Sequence, residues 1–239
     1  LAQAWRQRLD PWLERHWNRG FIDADPMRFA HRWRHEPTAC ELAALLGALL
    51  AYGRRETILA TLEDVFSRMG GDPLGYVRDY RADRARRDFA GFYYRFNASE
   101  DLVWLLGRLH HLYGEYGTLE NLFLRVSRPE APFRLRLAAF CRALGDDGNG
   151  PAPSRGQRYL IPWSGPEAPT GACKRVLLFL RWVVRHDAEL SEPVDFGLWR
   201  TALRPADLHV PLDTHVGRLA RELGMTARKA DDWRTVEEI

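Results

Sequence analysis

The stretch ELAALLGALLA, residues 41–51, decides the fold of this chain. Leucine occupies positions 42, 45, 46, 49 and 50, so most sides of a helix built from this stretch are apolar. A helix that is hydrophobic nearly all round must be surrounded by other elements, because no face of it suits water. Pro37 precedes the run and is compatible with the first turn of a helix. We therefore predict a buried central helix with other helices packed around it.

Apolar residues recur at helical spacing on both sides of this central run. No alternation of strand and helix patterns, internal repeat or glycine-rich phosphate loop occurs, which argues against an α/β or solenoid architecture. The aromatic run at 89–97 has no partner strand in the sequence, so we interpret it as a packed connector. The pattern predicts an all-α fold with further helices over 2–18 (interrupted at Pro11), 26–33, 54–69, 73–81, 99–113, 118–126, 132–144, 172–186, 195–202 and 214–223.

The length of 239 residues is enough for one large core. We expect a single helical domain over 1–239, built of two lobes. A Gly-, Asp- and Pro-rich stretch predicts a flexible loop over about 145–158. The sequence stops at Val236-Glu237-Glu238-Ile239, within a helical pattern, so we expect that the natural chain continues beyond it.

Composition excludes several classes of protein. The chain is 46% hydrophobic and 28% charged, with a formal charge of +3, which is ordinary for a soluble domain and does not demand a nucleic-acid partner. Cys40, Cys141 and Cys173 are far apart and form no CxxC pair, which argues against a zinc ribbon or an iron–sulfur cluster. No stretch reaches eighteen apolar residues. We predict a cytoplasmic monomer with no membrane contact, no metal and no cofactor.

The chain hardly uses lysine. Among 35 basic residues, only Lys174 and Lys229 are not arginine. A guanidinium stays protonated and is a poor nucleophile, whereas a lysine amine can lose its proton and attack a carbon centre. Lys174 begins a long amphipathic helix, which marks it as a candidate nucleophile. The alternative is that the position of a rare lysine has no chemical meaning.

A carboxylate occupies a second helix start. Asp213 directly precedes an apolar-periodic run, which is typical of a helix N-cap. A capped carboxylate also has a fixed position and stays ionised, so it is suited to stabilise a developing cation. Lys174, Arg181 and Arg185 share one helix face and predict a stripe that binds phosphates. A solvated basic face is the alternative explanation of that stripe.

Seven segments of the chain carry a resemblance to known proteins: GACKRVLLFLRWVVR (171–185), VDFGLW (194–199), VPLDTHVGRLARELGM (210–225), LAALLGALLAYGRRETIL (42–59), MGGDPLGYV (69–77), FYYRFNASEDLVWLLGRL (92–109) and YGTLENLF (116–123). They resemble a bacterial family of conserved proteins with no settled function. That family in turn resembles a remote branch of the helix–hairpin–helix DNA glycosylase superfamily, in which a lysine and a "VPVDTHV"-like aspartate form the active site. The hairpin is degenerate, since only Gly171 remains of its usual glycines. The lysine and the aspartate are 39 positions apart, a lengthened spacing that resembles archaeal 8-oxoguanine glycosylases.

The resemblance implies a two-lobed, glycosylase-like helical fold with the site between the lobes. Lys174 matches the nucleophile and Asp213 the catalytic aspartate. The implied partner is DNA, either a damaged duplex or an abasic site. The residues expected to bind DNA or the extracted base are Tyr52, Arg54, Gly171, Arg175, Arg181, Arg185 and His215.

The leading interpretation is a DNA-repair glycosylase with Schiff-base lyase activity, acting on an oxidised purine. Two alternatives stay open at this point. One is a noncatalytic nucleic-acid-binding module of the same fold, and the other is a lysine Schiff-base enzyme acting on a small carbonyl compound. Aromatic side chains that would stack on a flipped base are Tyr93, Tyr94, Phe96, Trp163, Trp182 and Trp199.

Overall fold

The computed structural model describes residues 19–145, 153–162, 171–186 and 193–239, together with four isolated positions before residue 19. Most of the predicted helix over 2–18 and most of the glycine-rich loop therefore lie outside the described residues. Within the described ranges the chain is helical with one two-stranded hairpin, which confirms the all-α prediction. The helices are α1 (Arg19–Asp23), α2 (Arg28–His31), α3 (Pro37–Leu49), α4 (Arg55–Arg68), α5 (Pro73–Arg78), α6 (Ala82–Asp88), α7 (Ser99–Tyr116), α8 (Leu119–Val126), α9 (Phe133–Gly145), α10 (Arg155–Leu160), α11 (Lys174–Val184), α12 (Thr214–Glu222) and α13 (Trp233–Glu238).

The predicted central helix is α3. It begins at Pro37, which suits a first turn, and every residue from Ala39 to Leu49 is buried. Helices α2 and α11 pack directly against it. A β-carbon at Gly47 would make only ordinary contacts, 3.4 Å from the Pro26 carbonyl oxygen and 3.6 Å from the Trp182 ring, so this packing does not require glycine. The Arg175 guanidinium donates to the Leu49 carbonyl oxygen at 2.9 Å, which places the start of α11 beside the end of the core helix.

A single buried acid organises the packing around α3. Glu41 is 3% exposed and accepts hydrogen bonds from the Tyr113 hydroxyl, the Leu119 and Glu120 amides and the Trp199 indole. The indole bond is the shortest, at 2.7 Å. Burial raises the pKa of the Glu41 carboxyl, and the four donors lower it in part. These bonds tie α3, α7, α8 and the segment after α11 into one unit.

The aromatic run at 89–97 is not the simple connector that we predicted. Strands β1 (Tyr93–Tyr94) and β2 (Asn97–Ala98) pair as an antiparallel hairpin. Its two-residue loop, Arg95-Phe96, lacks the Asn-Gly or Asp-Gly signal by which short hairpins are usually identified. Tertiary bonds hold it instead: the Tyr52 hydroxyl donates to Asn97 Oδ1 at 2.6 Å, and the Tyr94 hydroxyl donates to the Tyr52 carbonyl oxygen.

The predicted helix at 195–202 is wrong. This segment is extended and bent, and the Phe196 and Trp199 amides donate to the Trp182 and Val183 carbonyl oxygens, both at 2.8 Å. The last carbonyls of a helix lack partners within it, so the segment gains hydrogen bonds by completing the end of α11. The nearest helical turn is a 3-10 turn at Pro205–Asp207.

Two other predictions need correction, and one helix was missed. The expected helix over 26–33 is confined to α2, because Asp25 accepts a bond from the Met27 amide at 3.0 Å and delays the helix start. The end of the predicted flexible loop belongs to α10, where Ser154 and Gln157 form a capping box. Helix α6 was not predicted.

Within the described ranges, no helix is both long and apolar enough to cross a bilayer.

Candidate active site

Lys174 and Asp213 meet in space although they are 39 positions apart in the chain. The Lys174 Nζ atom lies 2.9 Å from Asp213 Oδ2. Lys174 is the first residue of α11, and Asp213 immediately precedes α12, so two helix starts face each other. The side chains are 37% and 29% exposed, which leaves both groups open to a ligand.

Asp213 is fixed by its own helix. Its Oδ1 atom accepts bonds from the His215 amide at 3.0 Å and the Val216 amide at 2.9 Å, which leaves Oδ2 for Lys174. Partial burial alone would raise the pKa of the carboxyl, but the Val216 amide, Lys174 and the His215 amide outweigh it, and the pKa is lowered. Asp213 is therefore an ionised group with a fixed orientation.

The backbone that leads into Lys174 is unusual. Cys173 has φ +48°, in the left-handed region that non-glycine residues seldom adopt. Gly171 lies in an isolated bridge with Asp232, which attaches this entry segment to the start of α13. The rest of the predicted hairpin, 163–170, lies outside the described residues. Burial raises the pKa of the Cys173 thiol to about 12, so this neighbour is unsuited to act as a thiolate nucleophile.

A second carboxyl, that of Asp25, interacts electrostatically with Lys174 and was missed by sequence reasoning. Asp25 precedes α2, and burial raises the pKa of its carboxyl, partly offset by the Met27 amide and by the charges of Arg181, Arg55 and Lys174. The environments of Asp25 and Asp213 thus shift their pKa values in opposite directions. In the sequence only the pair Asp25-Pro26 marks this position, and it resembles an ordinary helix start.

The predicted basic stripe faces a buried acid. Asp195 is fully buried, and its Oδ2 atom lies 3.9 Å from Arg181 Nε and 3.5 Å from Arg185 Nε. A phosphate would have to compete with this internal carboxylate for both arginines. The phosphate-binding role of Arg181 and Arg185 stays a prediction, and the geometry favours a part in holding the 193–199 segment on α11.

Arg175 lies in the interior of the molecule next to the site. Its guanidinium donates to the Leu49 carbonyl oxygen at 2.9 Å and to the Tyr159 carbonyl oxygen. It also lies 5.0 Å from the Tyr52 ring centre and 4.4 Å from that of Tyr159. Burial lowers the pKa of this guanidinium. The contacts favour a positioning role, which links Lys174 to the end of α3, over direct contact with DNA.

The remaining predicted binding residues differ in exposure. Arg54, Gly171 and His215 are exposed. Tyr52 is half-buried, with the Arg175 guanidinium over its ring. Among the proposed stacking residues, Trp182 and Trp199 are core residues with at most 2% exposure, so they are closed to a base. Trp163 lies outside the described residues. In the part of the chain that the structure describes, no cluster of three His, Cys, Asp or Glu side chains is placed to hold a metal ion.

Comparison with known proteins identifies the family of this chain. A family model described as "Protein of unknown function (DUF2400)" matches residues 25–239, and the chain belongs to that family. This confirms the resemblance to a family with no settled function, and the likeness to DNA glycosylases stays a prediction. The comparison with curated proteins finds no match, and the comparison with solved structures finds none.

Proposed function

We propose that this member of the DUF2400 family is a DNA base-excision glycosylase with lyase activity, in which Lys174 is the nucleophile. The observation that supports the proposal most directly is the 2.9 Å contact between Lys174 Nζ and Asp213 Oδ2 at two facing helix starts. The ion pair is not occluded, since both side chains keep about a third of their surface. An amine beside an oriented carboxylate, open to a ligand, suits covalent catalysis at a sugar carbon.

The proposed reaction begins at C1′ of the target nucleotide. As the bond from C1′ to the base breaks, the base leaves with the electron pair and takes up a proton. The sugar develops positive charge, which the ionised Asp213 carboxylate stabilises. The Lys174 ammonium first gives a proton to solvent, and the neutral amine then forms the new bond from Nζ to C1′ while Asp213 stays ionised.

The second stage cleaves the strand. The bond from C1′ to the ring oxygen O4′ then breaks, O4′ keeps the electron pair and takes up the proton that the amine loses, and a protonated Schiff base results. Loss of a proton from C2′ then expels the 3′ phosphate with the electron pair of its bond to C3′. No metal or redox partner takes part in these steps. An oxidised purine is the proposed target base, on the resemblance alone.

Borohydride trapping tests the proposal. Reduction converts the Schiff base into a stable secondary amine, so the protein becomes covalently joined to an oligonucleotide that carries an oxidised purine or an abasic site. We expect an adduct with the wild-type protein and none with Lys174→Arg, which keeps the positive charge but not the nucleophile. Lys229→Arg is the matched control, because Lys229 is the other lysine of the chain. Peptide mapping then locates the adduct.

A noncatalytic nucleic-acid-binding module is the second candidate. The Lys174–Asp213 ion pair favours this candidate in one respect, since an ammonium paired with a carboxylate is not itself a nucleophile. Binding of an abasic oligonucleotide with no adduct at any pH would establish this candidate and overturn the enzyme proposal. An adduct that maps to Lys229 or to the terminal amine would overturn it as well.

A further inference from the structure

An exposed aromatic surface lies at the tip of the β1–β2 hairpin. Tyr93 is 75% exposed and Phe96 is 47% exposed, although both are large apolar side chains. The Arg95 guanidinium lies 5.7 Å from the Phe96 ring centre. We call these three residues the hairpin tip. A single exposed aromatic residue is ordinary, but two on one short hairpin, with an arginine beside Phe96, mark a surface suited to a ligand.

The hairpin tip is held firmly although its side chains are exposed. Asn97, next to Phe96, is fully buried and donates from Nδ2 to the Gly156 carbonyl oxygen at 2.8 Å. The Phe96 ring packs 4.6 Å from the Tyr159 ring, centre to centre. The base of the hairpin is therefore anchored on α10, and the exposed rings are presented by a rigid support.

The same anchor connects the hairpin tip to the candidate active site. Tyr159 contacts Phe96 on one side and the Arg175 guanidinium on the other. Arg175 directly follows Lys174 in the chain. Two contacts and one peptide step thus connect Phe96 to the proposed nucleophile.

The charges around the hairpin tip select the partner. Arg54 is exposed at the start of α4, and Gly53 beside it lies against Arg95, since a β-carbon there would be 3.2 Å from the Arg95 Nη1 atom. Arginines that flank exposed aromatic rings are complementary to a phosphate backbone with accessible bases. Every base has a face on which an aromatic ring can stack, whereas stacked duplex bases are covered by their neighbours.

From this geometry we infer that the hairpin tip is a stacking platform for unpaired nucleobases, and that the substrate class of the Lys174 site is nucleic acid with unstacked bases. Tyr93 and Phe96 take the bases, and Arg54 and Arg95 face the adjacent phosphates. The inference rests on the proposed action on nucleic acid, but it concerns binding, which is measured without any covalent step.

Anisotropy of a fluorescein-labelled single strand, compared with the same strand in a duplex, tests the inference on the full chain. We expect tighter binding of the single strand and a loss of roughly tenfold or more in Tyr93→Ser/Phe96→Ser, the effect expected from removing two stacking rings. Tyr93→Phe/Phe96→Tyr keeps both rings and retains the affinity. Leu135→Ser is the matched control, since Leu135 is 49% exposed on α9 and should bind like the wild type.

Several outcomes would overturn the inference. They are equal affinity of the Ser double variant and the wild type, a duplex preference, or no binding of either oligonucleotide. Self-association that depends on Tyr93 and Phe96, without oligonucleotide binding, would assign the surface to a second copy of the chain. If Lys174 is trapped but the Ser double variant binds as tightly as the wild type, the stacking inference is refuted and the enzyme proposal stands. If binding depends on the two rings but no trapping occurs, the stacking inference stands and the enzyme proposal is refuted.

Discussion

Replacement of Asp213 separates two tasks that one carboxylate performs. Oδ1 caps α12 through the His215 and Val216 amides, and Oδ2 pairs with Lys174. Asp213→Asn keeps an oxygen for the cap and removes the charge, because asparagine is as good an N-cap as aspartate. Asp213→Ala removes both. The two variants therefore differ by the cap alone.

The magnitudes follow from the contacts. Loss of the cap costs about 1 kcal/mol. The ion pair is 37% and 29% exposed, so water screens it and its loss costs less than about 1 kcal/mol. For a chain of this size each kcal/mol lowers Tm by about 2–4 °C. We expect Asp213→Ala to lower Tm by about 5 °C and Asp213→Asn by about 2 °C.

The effect of Asp213→Asn on activity should be much larger than its effect on stability. If Asp213 stabilises the developing sugar cation, Asp213→Asn reduces the rate of borohydride trapping by about a hundredfold or more, although it is the milder change in stability. Thermal unfolding by circular dichroism and trapping of a lesion oligonucleotide measure the two effects on one preparation. Trapping of Asp213→Asn at the wild-type rate would refute the catalytic role, and equal Tm losses in both variants would refute the separation of tasks.

Asp232→Asn is a matched control for this experiment. Asp232 caps α13 through the Thr235 amide at 3.1 Å and pairs with Arg228 at 2.8 Å, so it combines a cap and an ion pair as Asp213 does. We expect a similar small loss of Tm and no change in trapping. A matching loss of trapping would indicate that both variants act through stability.

Three further predictions concern stability. In Glu41→Gln an amide NH2 replaces one carboxylate oxygen among the N–H and O–H donors that Glu41 accepts from, which should cost about 3 kcal/mol in urea unfolding. The comparison variant Glu63→Gln loses an exposed ion pair with Arg32 and should cost less than about 1 kcal/mol. Arg175→Lys loses the planar guanidinium whose two nitrogens donate to the Leu49 and Tyr159 carbonyl oxygens, and should lower the free energy of unfolding by about 1–3 kcal/mol in urea. An unchanged urea midpoint would contradict the positioning role of Arg175. The pKa of Asp213 is lowered by folding, so its stabilisation is present above the ordinary value of 3.8 and disappears as pH falls below it. The difference in stability between wild type and Asp213→Asn should therefore shrink on acidification from neutral pH, and a constant difference would contradict the ionised carboxylate.

Helix identity was largely determined by local pattern. The run at 41–51 is apolar on most sides, and it forms the buried helix α3 as predicted. The helices predicted over 99–113, 118–126, 132–144, 172–186 and 214–223 are confirmed as α7, α8, α9, α11 and α12. Periodicity and caps depend on neighbours three or four residues away, so a single sequence contains the information for them.

Contacts between distant segments were decided by tertiary structure alone. The hairpin at 93–98 depends on Tyr52, and the bent segment at 195–199 depends on the carbonyls at the end of α11. The sequence by itself identified Lys174 and Asp213 as candidates, through lysine scarcity and a capping position. Only the tertiary structure brings their charged atoms to 2.9 Å. It also directs Arg175 toward the Leu49 carbonyl oxygen and pairs Asp195 with Arg181 and Arg185. The reason is physical: local free energy selects a helix within a few residues, whereas the distance between two side chains depends on the packing of every element between them.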